Sequence, residues 1–314
     1  MKAISTETNP RQHHREMPQS PRAAAAAGPA GSASYGADPD DPDDEVTCTA
    51  DFTVRTLRLP SAPVHGTLFV PVASEPSAAV LLIGGSGGSE PSYVGLALAG
   101  EGVAALSVAY FARPGLPGQL RDIRLEYFFS ALEILQNELP SPTTPIVVLG
   151  MSRGSEAAML TAIHSPVRVR AVVATVPGNV VAGSLPPGGP AWLLDGQPLP
   201  YADHSGPDYE NADALIPVEL VPGPALLVAA GADQVWPSAD MARALSQRLH
   251  EHGDPHDHTV LEYPEASHSL GYLLPHLPTG LLPQEITDTT ADKAARADAW
   301  PKTVTFIRQL GTPK

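Results

Sequence analysis

Short runs that are apolar at every position alternate along this chain with stretches whose apolar residues recur at helical spacing. Residues 80–83, 103–110, 146–149, 167–176 and 225–230 are runs of this first kind, dominated by Val, Leu and Ala. Strands apolar on both faces suit a parallel sheet covered by helices. Residues 121–139 place Leu125, Phe128, Leu132 and Leu135 on one helical face, and Met241, Leu245 and Leu249 repeat the spacing. Residues 156–164 are compatible with helix, and 260–263 read as a further strand. Ahead of all these, 52–59 and 66–71 read as a hairpin of half-buried strands. Strand and helix alternating in this order predict a doubly wound α/β sheet, mostly parallel, with helices on both faces.

The pattern fails in four places. Residues 1–48 hold almost no large apolar side chains and include an alanine run at 23–27 and an acidic run at 38–45. Such a stretch buries too little to offset its ordering entropy, so 1–48 are expected to be a disordered tail and 49–314 one α/β domain. Five alanines between Pro and Arg do not form the apolar core of a secretory signal. Residues 178–222 and 271–290 are long connections, the first crowded with Pro and Gly, and connections of this kind act as lids or binding loops. Pro301 predicts a break in the last helix, with Trp300, Val304 and Ile307 packing on the core.

Composition narrows the function classes. Of 314 residues, 35 are Pro and 27 Gly, and these fall largely in the tail and the connections. A single Cys excludes a disulfide framework and a Cys-rich zinc site. The 19 basic against 34 acidic residues give a net charge of -15, which argues against a nucleic-acid partner because phosphate neutralisation needs a basic surface. No apolar stretch reaches the roughly 18 residues of a membrane span. Lysine occurs only at Lys2, Lys293, Lys302 and Lys314 amid abundant Ala, Pro and Arg, which resembles a high-GC bacterial protein. The ending Gly311-Thr312-Pro313-Lys314 is no peroxisomal address, so a cytoplasmic location is expected.

The sharpest chemical signal is Gly150-Met151-Ser152-Arg153-Gly154, which follows the apolar run 146–149 and precedes helix-compatible sequence. A G-x-S-x-G pentapeptide acquires meaning as a nucleophile elbow between strand and helix, where glycines let neighbouring backbone approach a strained serine. The partners then follow in the order Ser, Asp, His. Asp233 stands just past the run 225–230 and His268 just past 260–263, both at predicted strand ends where α/β sheets gather their ligands. Ser152, His268 and Asp233 are therefore the candidate nucleophile, base and orienting acid. His276 is the one serious rival for the base. His250, His252, His256 and His258 lie in a charged loop-like stretch and complete no metal site by spacing, so neither metal nor cofactor is expected. An oxyanion hole needs two backbone N–H groups aimed at one point. Arg153 supplies one, and Ser86, within Gly84-Gly85-Ser86-Gly87-Gly88 after strand 80–83, is the candidate for the other. That glycine cluster lacks the lysine ending and the spacing of phosphate-binding loops.

These motifs resemble the type I acyl-CoA thioesterases and bile acid-CoA:amino acid N-acyltransferases. The resemblance rests on Gly150 through Glu156, the Gly85 to Gly88 cluster, Gly231-Ala232-Asp233-Gln234-Val235-Trp236, and Tyr263-Pro264-Glu265-Ala266-Ser267-His268. Gly196-Gln197-Pro198-Leu199-Pro200-Tyr201 and the ending Asp298-Ala299-Trp300 with Thr305-Phe306 extend it over residues 53–311. It implies an α/β-hydrolase catalytic domain, dienelactone-hydrolase-like, that cleaves acyl thioesters with Ser152, Asp233 and His268. A serine rather than a cysteine at the elbow favours hydrolysis over transfer to an amino acid. Two departures stand out: Arg153 replaces the family's usual Lys, and Ser155 replaces a Gly. The family's amino-terminal immunoglobulin-like domain has no counterpart in the tail.

The expected reaction is thioester hydrolysis through an acyl-enzyme on a small-molecule, CoA-linked substrate. A carboxylesterase or lactone hydrolase of dienelactone-hydrolase type would use the same residues, and an acyl-CoA:amino acid N-acyltransferase is a third reading. A non-catalytic module is disfavoured because no triad member is missing. Gly85, Gly87, Trp192 and Trp236 are the candidates for lining the substrate pocket. For Trp192, with Leu193 and Leu194, anchoring of the long connection competes evenly with that role. Arg113, Arg121 and Arg153 are candidates for a local patch facing CoA phosphates.

Overall fold

The computed structural model describes residues 44–48, 53–59, 63–203, 212–282 and 287–311. Its strands in chain order begin with β1 (Asp44–Cys48), β2 (Thr53–Leu59), β3 (His65–Pro71), β4 (Ala79–Ile83) and β5 (Ala104–Ala109). They continue with the short β6 (Ile123–Arg124), β7 (Ile146–Met151), β8 (Ala171–Thr175) and the short pair β9 (Trp192–Leu194) and β10 (Gln197–Pro198). The last two are β11 (Ala225–Ala230) and β12 (Thr259–Tyr263). Helices α1 (Ser92–Gly100), α2 (Glu126–Asn137), α3 (Arg153–His164), α4 (Ser238–Glu251) and α5 (Thr290–Gln309) connect or follow them.

Nine strands form one sheet in the order β1-β2-β3-β5-β4-β7-β8-β11-β12. The first three and β5 pair antiparallel, and every pair from β5 through β12 is parallel. All residues of β4, β5, β8 and β11 are buried, as runs apolar on both faces require. Alternate residues of one strand enter opposite layers. Leu81, Leu106 and Val148 pack with Phe128, Leu132 and Leu135 of α2 and Leu245 of α4, whereas Val80, Ala105 and Val147 pack with Leu98 of α1 and Ile307 of α5. Each such aliphatic side chain contributes about 1.5–3 kcal/mol by leaving water. The chain leaves β4 toward β5 on one side and leaves β7 toward β8 on the other. The carboxyl ends of β4 and β7 therefore flank a topological switch point.

Four expectations need correction. Asp44–Cys48 lies inside the segment assigned to the tail, yet it pairs antiparallel with β2 as the sheet's edge strand. Backbone pairing supplies the order that apolar content could not signal, so the boundary at 48 moves toward the amino terminus; residues 1–43 lie outside the described residues. The helix expected from 121 starts at Glu126, because Ile123 and Arg124 pair instead with β9. The strand expected over 167–176 is confined to Ala171–Thr175.

Helix α5 passes through Pro301 without a break. Pro301 and Ala297, whose carbonyl loses its donor, both lie on the exposed face, so water can satisfy that carbonyl. Val304 and Ile307 are buried and Trp300 packs against the same layer, as expected.

Candidate active site

Ser152 sits between β7 and α3 with φ 54 and ψ -122, a backbone conformation that costs an L-residue strain and persists only where its surroundings enforce it. Three hydrogen bonds from two neighbours do so. Ser152 N–H donates to the Thr175 carbonyl at 2.9 Å, and the Ser152 carbonyl accepts both the N–H (2.8 Å) and the hydroxyl (2.6 Å) of Ser155. Ser155, where the family has glycine, also accepts the Gly178 N–H at 3.2 Å and so ties the elbow to the start of the long connection. The glycines are sterically required. A Cβ on Gly154 would meet the Gly84 carbonyl oxygen at 2.3 Å, and one on Gly150 would meet the Gly154 oxygen at 2.0 Å.

His268 Nε2 lies 2.9 Å from Ser152 Oγ, and its Nδ1 lies 3.0 and 2.9 Å from the two oxygens of Asp233. The structure thus brings the three candidate triad residues into one hydrogen-bonded chain. Its proton positions follow from chemistry. An ionised Asp233 only accepts, so Nδ1 carries the imidazole proton and Nε2 is left to accept the serine hydroxyl. Asp233 is itself held: Oδ1 accepts the N–H groups of Val235 (2.9 Å) and Trp236 (3.3 Å), and Oδ2 accepts the Ser238 hydroxyl at 2.7 Å. Its side chain is 1% exposed. His276, the rival base, is exposed and takes no part in these hydrogen bonds.

Ser152 and His268 open into a cleft of about 380 Å³. Gly85, Ser86 and Gly87 line it, together with Tyr93, Tyr272 and Leu281. A Cβ on Gly85 would stand 3.3 Å from Ser152 Cβ, which brings the glycine loop directly against the serine. The loop is fixed by a residue that sequence reasoning missed: the buried Tyr110 hydroxyl donates to the carbonyls of Gly84 (2.9 Å) and Gly85 (3.0 Å). Only its place at the end of an apolar run hinted at it. The rings of Tyr93 and Tyr272 are stacked at 6.4 Å, and burial raises both phenols above their ordinary range, so both stay neutral.

Neither candidate tryptophan lines this cleft. Trp192 is 0% exposed, and its indole N–H donates to Glu156 Oε2 at 2.9 Å, so of the two roles weighed for it the packing supports the anchor. Trp236 donates to the Val176 carbonyl at 3.0 Å and meets the His268 ring edge-on at 6.0 Å, as a buttress behind the imidazole. Of the three arginines weighed for a patch facing phosphates, Arg113 is exposed and Arg153 is turned away. Arg153 points its guanidinium inward, onto Glu156 Oε1 (2.7 Å) and the carbonyls of Ala182 (2.7 Å) and Gly183 (2.9 Å). Arg121 donates to the carbonyls of Pro186 and Pro187. Of Arg153, the backbone N–H at the start of α3 is the part that remains at the elbow.

The histidine-rich stretch holds a surprise. Asp254, His256 and His258 bring their ligand atoms within 4.8 Å of one another, although their spacing suggested no site. Asp254 Oδ1 lies 2.7 Å from His256 Nδ1 and 2.9 Å from His258 Nε2, and His258 Nδ1 accepts the Ala225 N–H at 3.0 Å. With Nδ1 accepting, Nε2 carries the proton and donates to Asp254, so both nitrogens of His258 serve the loop's attachment to β11.

The doubly wound sheet, the strained serine after β7 and the partners after β11 and β12 define an α/β-hydrolase fold. A solved α/β-hydrolase enzyme from a Medee basin deep-sea metagenome library superposes with a TM-score of 0.52 at 16% identity, over 83% of this chain and 100% of that one. Residues 204–312 match the family described as "BAAT / Acyl-CoA thioester hydrolase C terminal". The chain is 28% identical to human acyl-coenzyme A thioesterase 6 over 82% of its own length and 65% of the relative's. It is 29% identical to rat acyl-coenzyme A thioesterase 1, covering 82% and 66%. The resemblance read from the motifs is borne out: the chain is related to the type I acyl-CoA thioesterase and bile acid-CoA:amino acid N-acyltransferase family through that family's C-terminal domain. It spans less than two thirds of the length of either relative.

Proposed function

We propose that this protein is a serine hydrolase that cleaves acyl thioesters through an acyl-enzyme. The observation that carries the reading is the chain Asp233–His268–Ser152, with His268 Nε2 2.9 Å from the serine hydroxyl. His268 takes the proton as Ser152 Oγ attacks the acyl carbonyl. Asp233 holds the imidazole tautomer and stabilises the imidazolium. The N–H groups of Ser86 and Arg153 receive the oxyanion, and the thiolate leaves, taking from His268 the proton that Ser152 gave up. Water activated by His268 then attacks the ester on Ser152 and frees the acid. The residues act on an activated acyl carbon, and the names of the related thioesterases support a thioester as its source.

Domain 49–314, extended to include β1, is the catalytic unit in this reading, and a cytoplasmic bacterial setting fits its lysine-poor composition. Among the described residues, no helix is long and apolar enough to cross a membrane. The test is turnover of acyl-CoA by Ser152→Ala beside the wild type. Loss on the order of a thousandfold or more supports the role of Ser152, and activity within about tenfold of wild type overturns it. Matched oxygen esters decide the leaving group. The inward turn of Arg153 withdraws one cation from the CoA patch, so an oxygen ester with the higher kcat/KM would move the assignment to a carboxylesterase.

A further inference from the structure

We propose that Asp292 and Arg296, on the first two turns of α5, are positioning residues that set the catalytic angle of His268. The inference rests on the serine-hydrolase reading above and extends it to two residues outside the triad.

His268 opens a single short 3-10 turn, His268–Tyr272, which is followed by Leu273 at φ 62. So short a turn has poor internal hydrogen bonds and cannot by itself hold a ring to the tolerance a proton transfer needs. Its hold comes from outside. Asp292 Oδ1 accepts the Ser267 N–H at 2.6 Å, immediately before His268. Arg296 Nη1 donates to the Ser269 hydroxyl at 3.1 Å, immediately after it, and Arg296 Nε donates to the Leu274 carbonyl at 2.8 Å. Both chain neighbours of the imidazole are therefore gripped from one helix, by an acid on one side and a base on the other.

Both groups are 0% exposed. Arg296 is paired with Asp288 at 2.8 Å, and Asp292 Oδ2 accepts the N–H (2.8 Å) and hydroxyl (2.7 Å) of Thr289 as part of a capping box. Each carboxylate oxygen of Asp292 thus has its own task, one for the helix end and one for the histidine loop. Buried charges are a costly way to obtain stability, since apolar side chains of similar volume often serve as well or better. What they add is direction.

The two tasks of Asp292 can be separated. Thr289→Ala removes the hydroxyl's part of the cap and leaves the Thr289 and Ser267 N–H bonds to Asp292, whereas Asp292→Ala removes every bond to the carboxylate. The readout is the rate at which a fluorophosphonate labels Ser152, followed by mass spectrometry below the melting temperature of every variant. It needs no knowledge of the substrate. Asp292→Ala is expected to label about 100-fold more slowly than wild type, and Thr289→Ala within about twofold of it, because a small misplacement of a reacting group costs rate steeply. Arg296→Met is expected to follow Asp292→Ala, and it carries the test if Asp292→Ala does not fold. Equal labelling of wild type, Asp292→Ala and Arg296→Met would overturn the positioning role, as would a slowing by Thr289→Ala as large as that by Asp292→Ala. A wild-type protein that rejects the probe at Ser152 would instead overturn the serine-hydrolase reading itself.

Discussion

Glu156, in the first turns of the elbow helix, accepts the indole N–H of Trp192 across 36 residues of chain. The same oxygen accepts the Ala182 N–H at 3.0 Å, and the other faces Arg153 Nε at 2.7 Å. The residue that follows the nucleophile and the connection that lies over α3 are thus fastened through one buried carboxylate. Removing it by Glu156→Ala leaves the Arg153 charge buried without that partner, which is expected to cost about 3–5 kcal/mol. Trp192→Phe replaces the buried indole by a smaller ring and loses its donor, and the lost hydrogen bond alone costs about 1–3 kcal/mol. Urea unfolding of both variants checks the order. Equal midpoints for wild type and Glu156→Ala would show that the fastening contributes nothing.

The elbow glycines make a sharper case, because their roles are steric. Gly154→Ala puts a methyl 2.3 Å from the Gly84 carbonyl and 2.4 Å from that of Ile83. These are backbone atoms of the strand and loop that carry the oxyanion candidates, and they cannot turn aside as a side chain would. A fall in kcat of about 100-fold or more is expected, since the loop must move relative to Ser152. Gly118→Ala, in an exposed connection away from the cleft lining, meets nothing within 4 Å and should leave kcat near wild type. Similar rates for the two variants would refute the steric account.

The candidate triad was readable because a nucleophile elbow, an acid and a base each have a place relative to strand ends, and strand ends are visible as apolar runs. Ser152, Asp233 and His268 meet through β7, β11 and β12, whose order the strand–helix alternation predicts. Trp192 and Trp236 were open to misplacement for a physical reason: an aromatic in a loop looks the same whether it faces a ligand or the core. Tyr110, Asp292 and Arg296 left little or no signal because each acts across tens of residues, largely on backbone atoms, which carry no sequence signal. Strand β1 escaped notice for a related reason, as edge pairing is a backbone property.

Two buried carboxylates should leave opposite marks on the pH dependence of stability. For Asp292, burial pushes the carboxyl up, but the bonds from Ser267 and Thr289 outweigh it and hold it below its ordinary value. Its contribution is complete above the unfolded value of about 3.9 and is lost as pH falls through the depressed native value. For Glu156, burial dominates over Arg153 and the hydrogen bonds and raises the carboxyl. There the native state keeps a proton that the unfolded chain releases near pH 4.3, so stability falls as pH rises from about 4.3 through the raised native value. Unfolding curves for Asp292→Asn should therefore lose part of the acid-side decline, and those for Glu156→Gln part of the decline toward neutral pH. Parallel curves for wild type and both variants would contradict the assignment.

Pro301 interrupts the hydrogen-bond ladder of α5 on its solvent face, between Ala299 and Val304, which anchor the helix to the sheet. Replacing it with alanine restores an N–H to the Ala297 carbonyl and removes the ring's clash with the preceding turn. A proline inside a helix is unfavourable by about 3 kcal/mol relative to alanine. Against this, alanine gives the unfolded chain more freedom, by about 0.4–1 kcal/mol. The native helix has also already adjusted to the ring, so a net gain of about 1–2 kcal/mol is expected for Pro301→Ala. Since Pro301 lies about one and a half turns past Arg296 and on the solvent face, the hold on His268 is untouched and kcat should stay at the wild-type level. A urea midpoint that moves upward with kcat unchanged is the expected result. A lower midpoint would mean that the ring is needed to seat Val304 and Ile307.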